Sequence, residues 1–225
     1  MPHAIRIHTT GGPEVLSWEE IDLAPPGPGE ARVRHEAIGL NFIDTYHRTG
    51  LYPLQLPSGI GLEGAGVVEA VGEGVTEVRP GDRVAYAGGP PGAYAEARNL
   101  PAHRLLVLPE GIAFEKAAAM MLQGLTAAYL LRRTYRVQAG DAVLIHAAAG
   151  GVGLIACQWA KALGATVIGT VGSDAKGELA RAHGCDHVIN YSRENFTARV
   201  REITGGAGVA VVYDGVGKDT FMGSL

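Results

Sequence analysis

A glycine-rich turn in the second half of the chain has the residue types and spacing that bind a dinucleotide pyrophosphate. Ala148, Gly150 and Gly153 occupy the three positions of a G-x-G-x-x-G fingerprint, with alanine replacing the first glycine. Glycines let the backbone approach phosphate oxygens, and the N–H groups that open a following helix attract an anion. The predicted cofactor-binding residues of the turn are Ala149, Gly150, Gly151, Val152 and Gly153. A purely structural turn between a strand and a helix is the alternative.

The segments that flank this turn predict a strand, a helix and a second strand. Apolar residues 142–147 lead into the turn, and a second β-rich run covers residues 166–171. The intervening segment has apolar residues at helical spacing, namely Val152, Ile155, Ala156, Trp159, Ala160 and Leu163. This order directs the positive end of the helix at the turn, where a phosphate would bind.

The end of the second predicted strand favours NADPH as the cofactor. NAD-binding units place an acidic residue there to hold the ribose 2′-hydroxyl, whereas this chain reads Val171, Gly172, Ser173. The Ser173 hydroxyl and the Lys176 ammonium suit a 2′-phosphate. Two observations oppose this prediction. Ser173 could be only a helix N-cap beside a solvated lysine, and Asp174 could repel the phosphate or bind a 2′-hydroxyl.

Composition limits the classes of function. The 225 residues can form one large or two small domains, and 47% of them are hydrophobic. A net charge of −4 without a basic run argues against nucleic acid as a partner. The N-terminus lacks the features of a signal or transit peptide, so a cytoplasmic location is expected. The longest apolar run, residues 117–131, is interrupted and short, which predicts a buried helix and no membrane interaction.

The two halves of the chain differ in pattern. Residues 1 to about 110 are rich in glycine, proline and short β-rich segments, with strands predicted at 31–37, 66–71, 83–86 and 94–97. From residue 113 the pattern becomes helical and then alternates with the strands already described and two more, at 187–190 and 209–213. The alternation predicts an α/β fold with a doubly wound parallel sheet.

Six motifs together resemble the medium-chain dehydrogenase/reductase superfamily, and most closely its zinc-free quinone oxidoreductase, or zeta-crystallin-like, family. They are GLNFID at 39–44, GLEGAGVV at 61–68, PGDRV at 80–84, GLTAAY at 124–129, AAAGGVG at 147–153 and VYDGVG at 212–217. The resemblance implies a GroES-like β domain at residues 1–112 and a Rossmann domain at 113–225, with the active site in the cleft between them. Because a six-stranded Rossmann sheet needs two further strands, the second domain is expected to be truncated.

The same resemblance bears on the assembly and on metal binding. Full-length members are expected to form homodimers, but a chain that ends after the fourth strand exposes the sheet edge they use, which puts dimerisation and activity in question. In zinc alcohol dehydrogenases, the positions of Asn41 and Leu62 carry a cysteine and a histidine that bind the catalytic zinc. An amide and a leucine do not supply those ligands. His183 and His187 straddle Gly184, where a helix should end, so we expect no metal site.

The resemblance also implies the remaining site residues. On the β-domain side of the cleft it places Asn41, Asp44, Tyr46 and Tyr52, and near the nicotinamide it places Thr126. Tyr46 or Tyr52 could donate a hydrogen bond or a proton to the acceptor and is the predicted catalytic residue. Further cofactor contacts are implied for Tyr191, Val216 and Gly217. Each has a structural alternative: the tyrosines could simply pack, and Asn41 and Asp44 could cap a helix that begins at Phe42.

These features favour NADPH-dependent reduction of a quinone without zinc. A quinone is already electrophilic and accepts a hydride without a Lewis acid. Two alternatives remain open. An enone, alkenal or enoyl-thioester reductase would share every residue named above, and an NADPH-binding structural or RNA-binding protein of the zeta-crystallin type belongs to another class. The absence of a basic, aromatic-rich face opposes RNA as the main partner.

The two cysteines, Cys157 and Cys185, form no C-x-x-C pair and give no disulfide framework. They are predicted to be small buried or partly buried hydrophobic residues, and a reactive thiol is the alternative.

Overall fold

A computed structural model describes residues 1–225, which divide into two compact units, Met1–Leu122 and Gln123–Leu225. The sequence placed the boundary between residues 112 and 113, where the helical pattern begins. In the structure, the helix that starts at Phe114 contains the boundary, since its first residues belong to the first unit and its last ones to the second. The change of pattern therefore marks the start of a helix, and the domain limits stay a prediction.

The first unit contains two antiparallel sheets. One has five strands in the order β7-β3-β5-β6-β8, and the other has three in the order β2-β1-β4. The strands are β1 (His3–Ile7), β2 (Ser17–Glu20), β3 (Glu30–Gly39), β4 (Ser58–Gly59), β5 (Glu63–Val71), β6 (Arg83–Ala87), β7 (Ala97–Pro101) and β8 (Leu106–Val107). Helix α1 (Phe42–Thr49) lies between β3 and β4. Two short 3₁₀ turns cover Pro13–Val15 and Ala102–Arg104.

One of the two hydrophobic clusters of this unit lies on one face of the five-stranded sheet, and the other includes Ala65 and Ala85 of the sheet with Ala117 and Ala118 of the following helix. Val33, Val68 and Val84 come from three adjacent strands and are at most 1% exposed. Alternation along each strand points such residues to the same face. The predictions for 31–37, 66–71 and 83–86 are confirmed, although all three strands are longer than predicted.

The predicted strand at residues 94–97 is wrong, because β7 covers Ala97–Pro101. The preceding segment pairs elsewhere: the Tyr94 carbonyl accepts from the Ile5 N–H at 2.7 Å, and Ala95 forms an isolated bridge with Ala4. Those bonds tie this segment to β1. Only after it does the chain join β3, in a five-residue antiparallel register.

The second unit is a parallel four-stranded sheet in the order β11-β10-β9-β12 with helices alternating along the chain, as predicted. Its strands are β9 (Ala142–Ile145), β10 (Thr166–Val171), β11 (His187–Asn190) and β12 (Val211–Tyr213). The helices after α1 are α2 (Phe114–Tyr129), α3 (Gly151–Ala162), α4 (Asp174–Ala182), α5 (Phe196–Ile203) and α6 (Phe221–Ser224). Helix α2 continues into a π-helical turn at Leu130–Thr134. None of these helices is both long and apolar enough to span a membrane.

Two strand ends differ from the prediction. Strand β9 stops at Ile145, two residues earlier than predicted, because Ala147 adopts a left-handed φ of 52° and turns the chain. Strand β12 starts at Val211 instead of residue 209, three residues after Gly208, whose φ of 79° is also left-handed. Because all the strands of this sheet are parallel, their carboxyl ends and the loops that follow them lie at one edge of the sheet.

Candidate functional site

The glycine turn brings the first residues of α3 onto the backbone of the turn itself. Gly150 is the N-cap of α3, and its N–H donates to the Ala147 carbonyl at 2.8 Å. At Gly153 a Cβ would overlap the carbonyl oxygen of Ala147 and lie 2.7 Å from that of Ala148. Only glycine permits this approach, which holds the helix N-terminus and its unpaired N–H groups beside the end of β9.

Residues 149–153 are therefore placed where a phosphate-binding turn requires them, and their contacts to a cofactor stay predictions. A Cβ at Gly151 would overlap the side-chain amide of Gln123 on α2. Gln123 is thus a neighbour of the turn that the sequence did not indicate. The buried stripe of α3 consists of Gly153, Ala156, Cys157 and Ala160. Ile155, Trp159 and Leu163, predicted on that face, flank it and are partly buried.

Ser173 and Lys176 lie at the end of β10, at the start of α4. Ser173 is the N-cap of α4, and its Oγ accepts from the Lys176 N–H at 3.4 Å. The capping alternative is thus correct as a description of Ser173, but capping uses the oxygen as an acceptor, so its O–H can still donate. The Lys176 side chain is exposed at the same corner, as an ammonium that meets a phosphate must be.

Asp174, which opposed the NADPH prediction, is already engaged. Its Oδ1 accepts from the Asn190 side-chain amide at 2.8 Å, and its Oδ2 forms an ion pair of 2.8 Å with Arg193. The pair is exposed, so its own stabilisation is small. Arg193 also balances the charge of the Asp174 carboxylate, which opposed a phosphate in this region. Sequence reasoning missed Arg193, although its position just after β11 was a usable signal.

Tyr191 also lies near the end of β10, beside Gly172, the residue before Ser173. Its N–H donates to the Val171 carbonyl at 3.1 Å, and its hydroxyl would be 2.6 Å from a Cβ at Gly172. The side chain is 54% exposed. The structure thus brings Tyr191 together with Ser173 and Lys176 around the end of β10.

Val216 and Gly217 form the loop after β12. Both N–H groups donate to Asp214 Oδ1 at 2.9 Å, and the Thr220 hydroxyl donates to both oxygens of the same carboxylate at 2.8 Å. Burial raises the pKa of Asp214, but the hydrogen bonds from Gly217, Thr220 and Val216 outweigh burial and hold it below its usual range. Asp214 therefore fixes the conformation of this loop. The backbone N–H groups of the two predicted cofactor residues, Val216 and Gly217, are used in hydrogen bonds to Asp214.

His146 directly follows β9, and its contacts indicate a structural role. Its ring is buried and forms hydrogen bonds of 2.8 Å with Thr170 Oγ1 and 3.1 Å with Ser224 Oγ. Burial lowers its pKa, while Asp214 opposes that shift.

In the first unit, Asn41 and Asp44 form a capping box at the start of α1, which matches the structural alternative for them. Asp44 Oδ2 accepts from the Asn41 N–H at 3.0 Å and from the Tyr94 hydroxyl at 2.8 Å. Burial, followed by the hydrogen bond to Asp44, raises the pKa of Tyr94 above its usual range. Both capping residues are buried, and their predicted cofactor contacts are not tested by these bonds.

Glu63 on β5 is the residue of this region that sequence reasoning missed. Its side chain is 0% exposed, and its two oxygens accept from Asn41 Nδ2 at 2.6 Å and from the Leu122 N–H at 2.8 Å. Burial raises its pKa, against the lowering effect of these hydrogen bonds. A carboxylate within the otherwise glycine-rich and apolar run 61–68 was the available signal, since buried charges are rare unless they are paired.

Tyr46 and Tyr52 form an aromatic cluster at the end of α1. Their ring centroids are 5.3 Å apart, Phe42 contacts Tyr46 edge-on at 5.3 Å, and the Tyr52 N–H donates to the Tyr46 carbonyl at 3.1 Å. Tyr52 is 47% exposed and therefore accessible to a ligand. Thr126, in the second unit, is half-buried on α2.

The positions that carry zinc ligands in related dehydrogenases have other partners here. The Asn41 amide donates to Glu63, and Leu62 is 8% exposed and apolar. Across residues 1–225, no three His, Cys, Asp or Glu side chains are grouped so that they could hold a metal ion. His183, one of the two histidines considered as a pair, bonds through Nδ1 to the Leu179 carbonyl at 2.8 Å.

Comparison with known families gives one match within each of the two units. The alcohol dehydrogenase GroES-like domain matches residues 27–110, and the zinc-binding dehydrogenase domain matches residues 151–225.

Individual relatives match the whole chain. A quinone oxidoreductase of Pseudomonas aeruginosa is 59% identical over 226 residues, covering 100% of this chain and 70% of that protein. A 2-haloacrylate reductase of a Burkholderia species is 52% identical over 231 residues, covering 100% of this chain and 69% of that protein. The solved structure of Escherichia coli quinone oxidoreductase complexed with NADPH has a TM-score of 0.97 at 53% identity, covering 99% of this chain and 68% of that one.

Proposed function

The chain belongs to the quinone oxidoreductase family of the medium-chain dehydrogenases/reductases, and from this premise we propose that it reduces a quinone with NADPH and without a metal ion. The single observation that supports this most strongly is the 59% identity to a quinone oxidoreductase across the whole chain. The related structure that contains NADPH, at 53% identity, supports the choice of cofactor.

NADPH, when bound, supplies the hydride. The chain contributes binding and orientation. The N-terminus of α3, held against the turn by Gly153, would bind the pyrophosphate. Ser173, Lys176 and Tyr191 would surround the 2′-phosphate, while Arg193 balances the charge of Asp174. The ion pair with Arg193 would reduce the repulsion between Asp174 and a bound 2′-phosphate.

A quinone oxygen gains negative charge as the ring receives a hydride, so the chain must stabilise that oxygen. Tyr46 and Tyr52 are the proposed donors, because their rings are adjacent and Tyr52 is accessible. The same cluster offers aromatic surface on which a planar acceptor can lie.

The test of the function is a pair of measurements on the purified chain. Fluorescence titration with NADPH and NADH is expected to show tighter binding of NADPH, and NADPH oxidation is expected to depend on an added quinone. A 2-haloacrylate is the competing acceptor, since one relative carries that name. Faster turnover with the acrylate than with any quinone would move the chain to the enone class, and binding of neither cofactor would refute the proposal.

We expect Lys176→Ala to weaken NADPH binding by about tenfold or more, because a hydrogen bond to a charged group contributes about 1.5–3 kcal/mol. NADH binding should change little, since NADH has no 2′-phosphate. Titration of both cofactors measures the difference. Lys116→Ala is the matched control, because Lys116 is an exposed lysine on α2. Equal NADPH affinity in the wild type and in Lys176→Ala would show that Lys176 does not bind the 2′-phosphate.

Tyr52→Phe is expected to lower kcat with a quinone by about tenfold or more, because removing an oxyanion donor costs on the order of a hundredfold where that donor is essential. The ring of residue 52 and its contacts with Tyr46 remain, so the KM for NADPH should be unchanged. Steady-state kinetics of Tyr52→Phe, Tyr46→Phe and the control Tyr129→Phe would be compared; Tyr129 is exposed on α2. Full turnover in both α1-region variants would show that neither hydroxyl is the donor.

We further propose a cytoplasmic location, a homodimer for full-length members of the family and no nucleic-acid partner. The net charge of −4 supports the last point. Tight, NADPH-sensitive RNA binding in a gel shift at physiological salt would contradict it.

A further inference from the structure

The Asp174 carboxylate at the start of α4 is held by two side chains from the end of β11 and the loop after it. Asn190 Nδ2 donates to Asp174 Oδ1 at 2.8 Å, and Arg193 Nη1 forms an ion pair of 2.8 Å with Oδ2. Asp174 directly follows Ser173, the N-cap of α4. From the sequence alone Asp174 opposes NADPH, whereas in the structure both of its oxygens are engaged and its charge is balanced.

The loop that carries Arg193 is fixed at both ends. The N–H groups of Arg193 and Glu194 donate to the Asn190 carbonyl at 3.0 and 3.1 Å, and the Ser192 N–H donates to Asn190 Oδ1 at 3.1 Å. The Ser192 hydroxyl donates to the Gly172 carbonyl at 3.1 Å, which ties the loop to the end of β10. Because the loop is held in this way, its arginine stays within reach of the carboxylate on α4 even though the ion pair is exposed.

The ion pair faces the same space as the cap of α4. Ser173, Asp174, Asn190 and Arg193 all line one cavity of about 290 Å³. A 2′-phosphate carries up to about two negative charges, so a free carboxylate beside it repels it and a paired carboxylate does so much less. A ribose 2′-hydroxyl is neutral and can donate to a free carboxylate, as in NAD-binding units. Whether Asp174 is paired or free therefore discriminates between the two cofactors.

We propose that Arg193 is a positioning residue that sets the preference for NADPH over NADH by keeping Asp174 paired. This inference rests on the proposed function, since it concerns the cofactor of that reaction. Ser173 and Lys176 remain the residues proposed to contact the phosphate, and Arg193 acts through Asp174 without touching the cofactor. A chain with a neutral residue at position 174 would accordingly not need the arginine.

A double-mutant cycle between positions 174 and 193 tests this inference, with the Kd of NADPH and of NADH measured by fluorescence titration of the folded chain. We expect Arg193→Ala to raise the Kd for NADPH about fivefold, the upper end for an exposed ion pair, without raising the Kd for NADH. In the Asp174→Asn background, Arg193→Ala should change the Kd for NADPH by less than about twofold, because no carboxylate remains to be paired. Arg193→Lys keeps the charge and should retain most of the preference.

Arg79→Ala is the matched control, because it breaks another exposed arginine–aspartate pair, of 3.4 Å to Asp82, in the first unit. It should leave both Kd values unchanged. Three results of Arg193→Ala would each overturn the proposal: an unchanged Kd for NADPH, an equal rise for both cofactors, which indicates a general structural effect, or a rise that persists in the Asp174→Asn background, which indicates direct contact with the phosphate. Quinone-dependent oxidation of NADPH is measured separately. Its absence in a chain that shows the expected Kd pattern would refute the proposed function alone.

Discussion

Glu63→Ala is expected to lower the free energy of unfolding of the chain by about 2–5 kcal/mol. The substitution removes the acceptor that the Asn41 side-chain amide and the Leu122 N–H share, and it leaves a cavity at a position that is 0% exposed. It also removes the link between the start of α1 and α2. Quinone turnover should therefore fall further than the loss of folded protein explains, since Tyr46 and Tyr52 lie at the other end of α1.

Urea denaturation followed by circular dichroism measures this change, and Glu69→Ala is the matched control. Glu69 is on the same strand but is exposed, with an ion pair of 3.4 Å to Arg34. Such pairs contribute about 0–1 kcal/mol. Glu63→Gln retains one acceptor oxygen and should recover part of the loss. A Glu63→Ala midpoint equal to that of Glu69→Ala would show that the buried carboxyl has no stabilising role.

The pH dependence of this effect has a definite sign. Burial raises the pKa of Glu63 in the folded chain, so its contribution is largest when it is protonated and falls as pH rises through the folded-state pKa. The difference in unfolding free energy between the wild type and Glu63→Ala should narrow over that range. A difference that widens with rising pH would contradict the raised pKa.

The sequence predicted the parallel sheet of the second unit well because the signal there is local. Each strand and helix has its own periodicity, and the glycine turn connects elements that are adjacent along the chain. The prediction of a strand at 94–97 is wrong because residues 94 and 95 pair with β1, which is distant in sequence. Periodicity describes which residues are buried and does not identify the strand to which they pair.

The same distinction separates the site residues that were predicted from those that were missed. The residues of the turn follow from a short motif. Glu63 acquires its role from donors 22 and 59 residues away, and Arg193 acquires its role from an ion pair with Asp174 across two strand ends. The sequence alone does not show which residues will contact Glu63 and Arg193. A charged residue in an apolar run, such as Glu63, does indicate that a buried partner should be sought.

Gly153→Ala is expected to weaken NADPH binding by about a hundredfold or more, which corresponds to about 2.7 kcal/mol. The added Cβ would overlap the Ala147 carbonyl and lie 2.7 Å from the Ala148 oxygen. Both are backbone atoms of the turn and cannot rotate away as a side chain would. The first turn of α3 must therefore move from the end of β9, and the N–H groups that face the pyrophosphate move with it.

Gly150→Ala is the matched control, because it adds the same atom to the same turn. Gly150 has a φ of −80°, which alanine adopts, and its nearest added contact is 3.1 Å, to the Ala147 carbonyl. A shift of a few tenths of an ångström relieves that contact, so we expect the NADPH Kd to rise less than tenfold. Circular dichroism of both variants verifies that they are folded. If the two variants bound NADPH equally well, close contact between α3 and the turn would not be what positions the cofactor, and the residues at the end of β10 would have to supply the affinity instead.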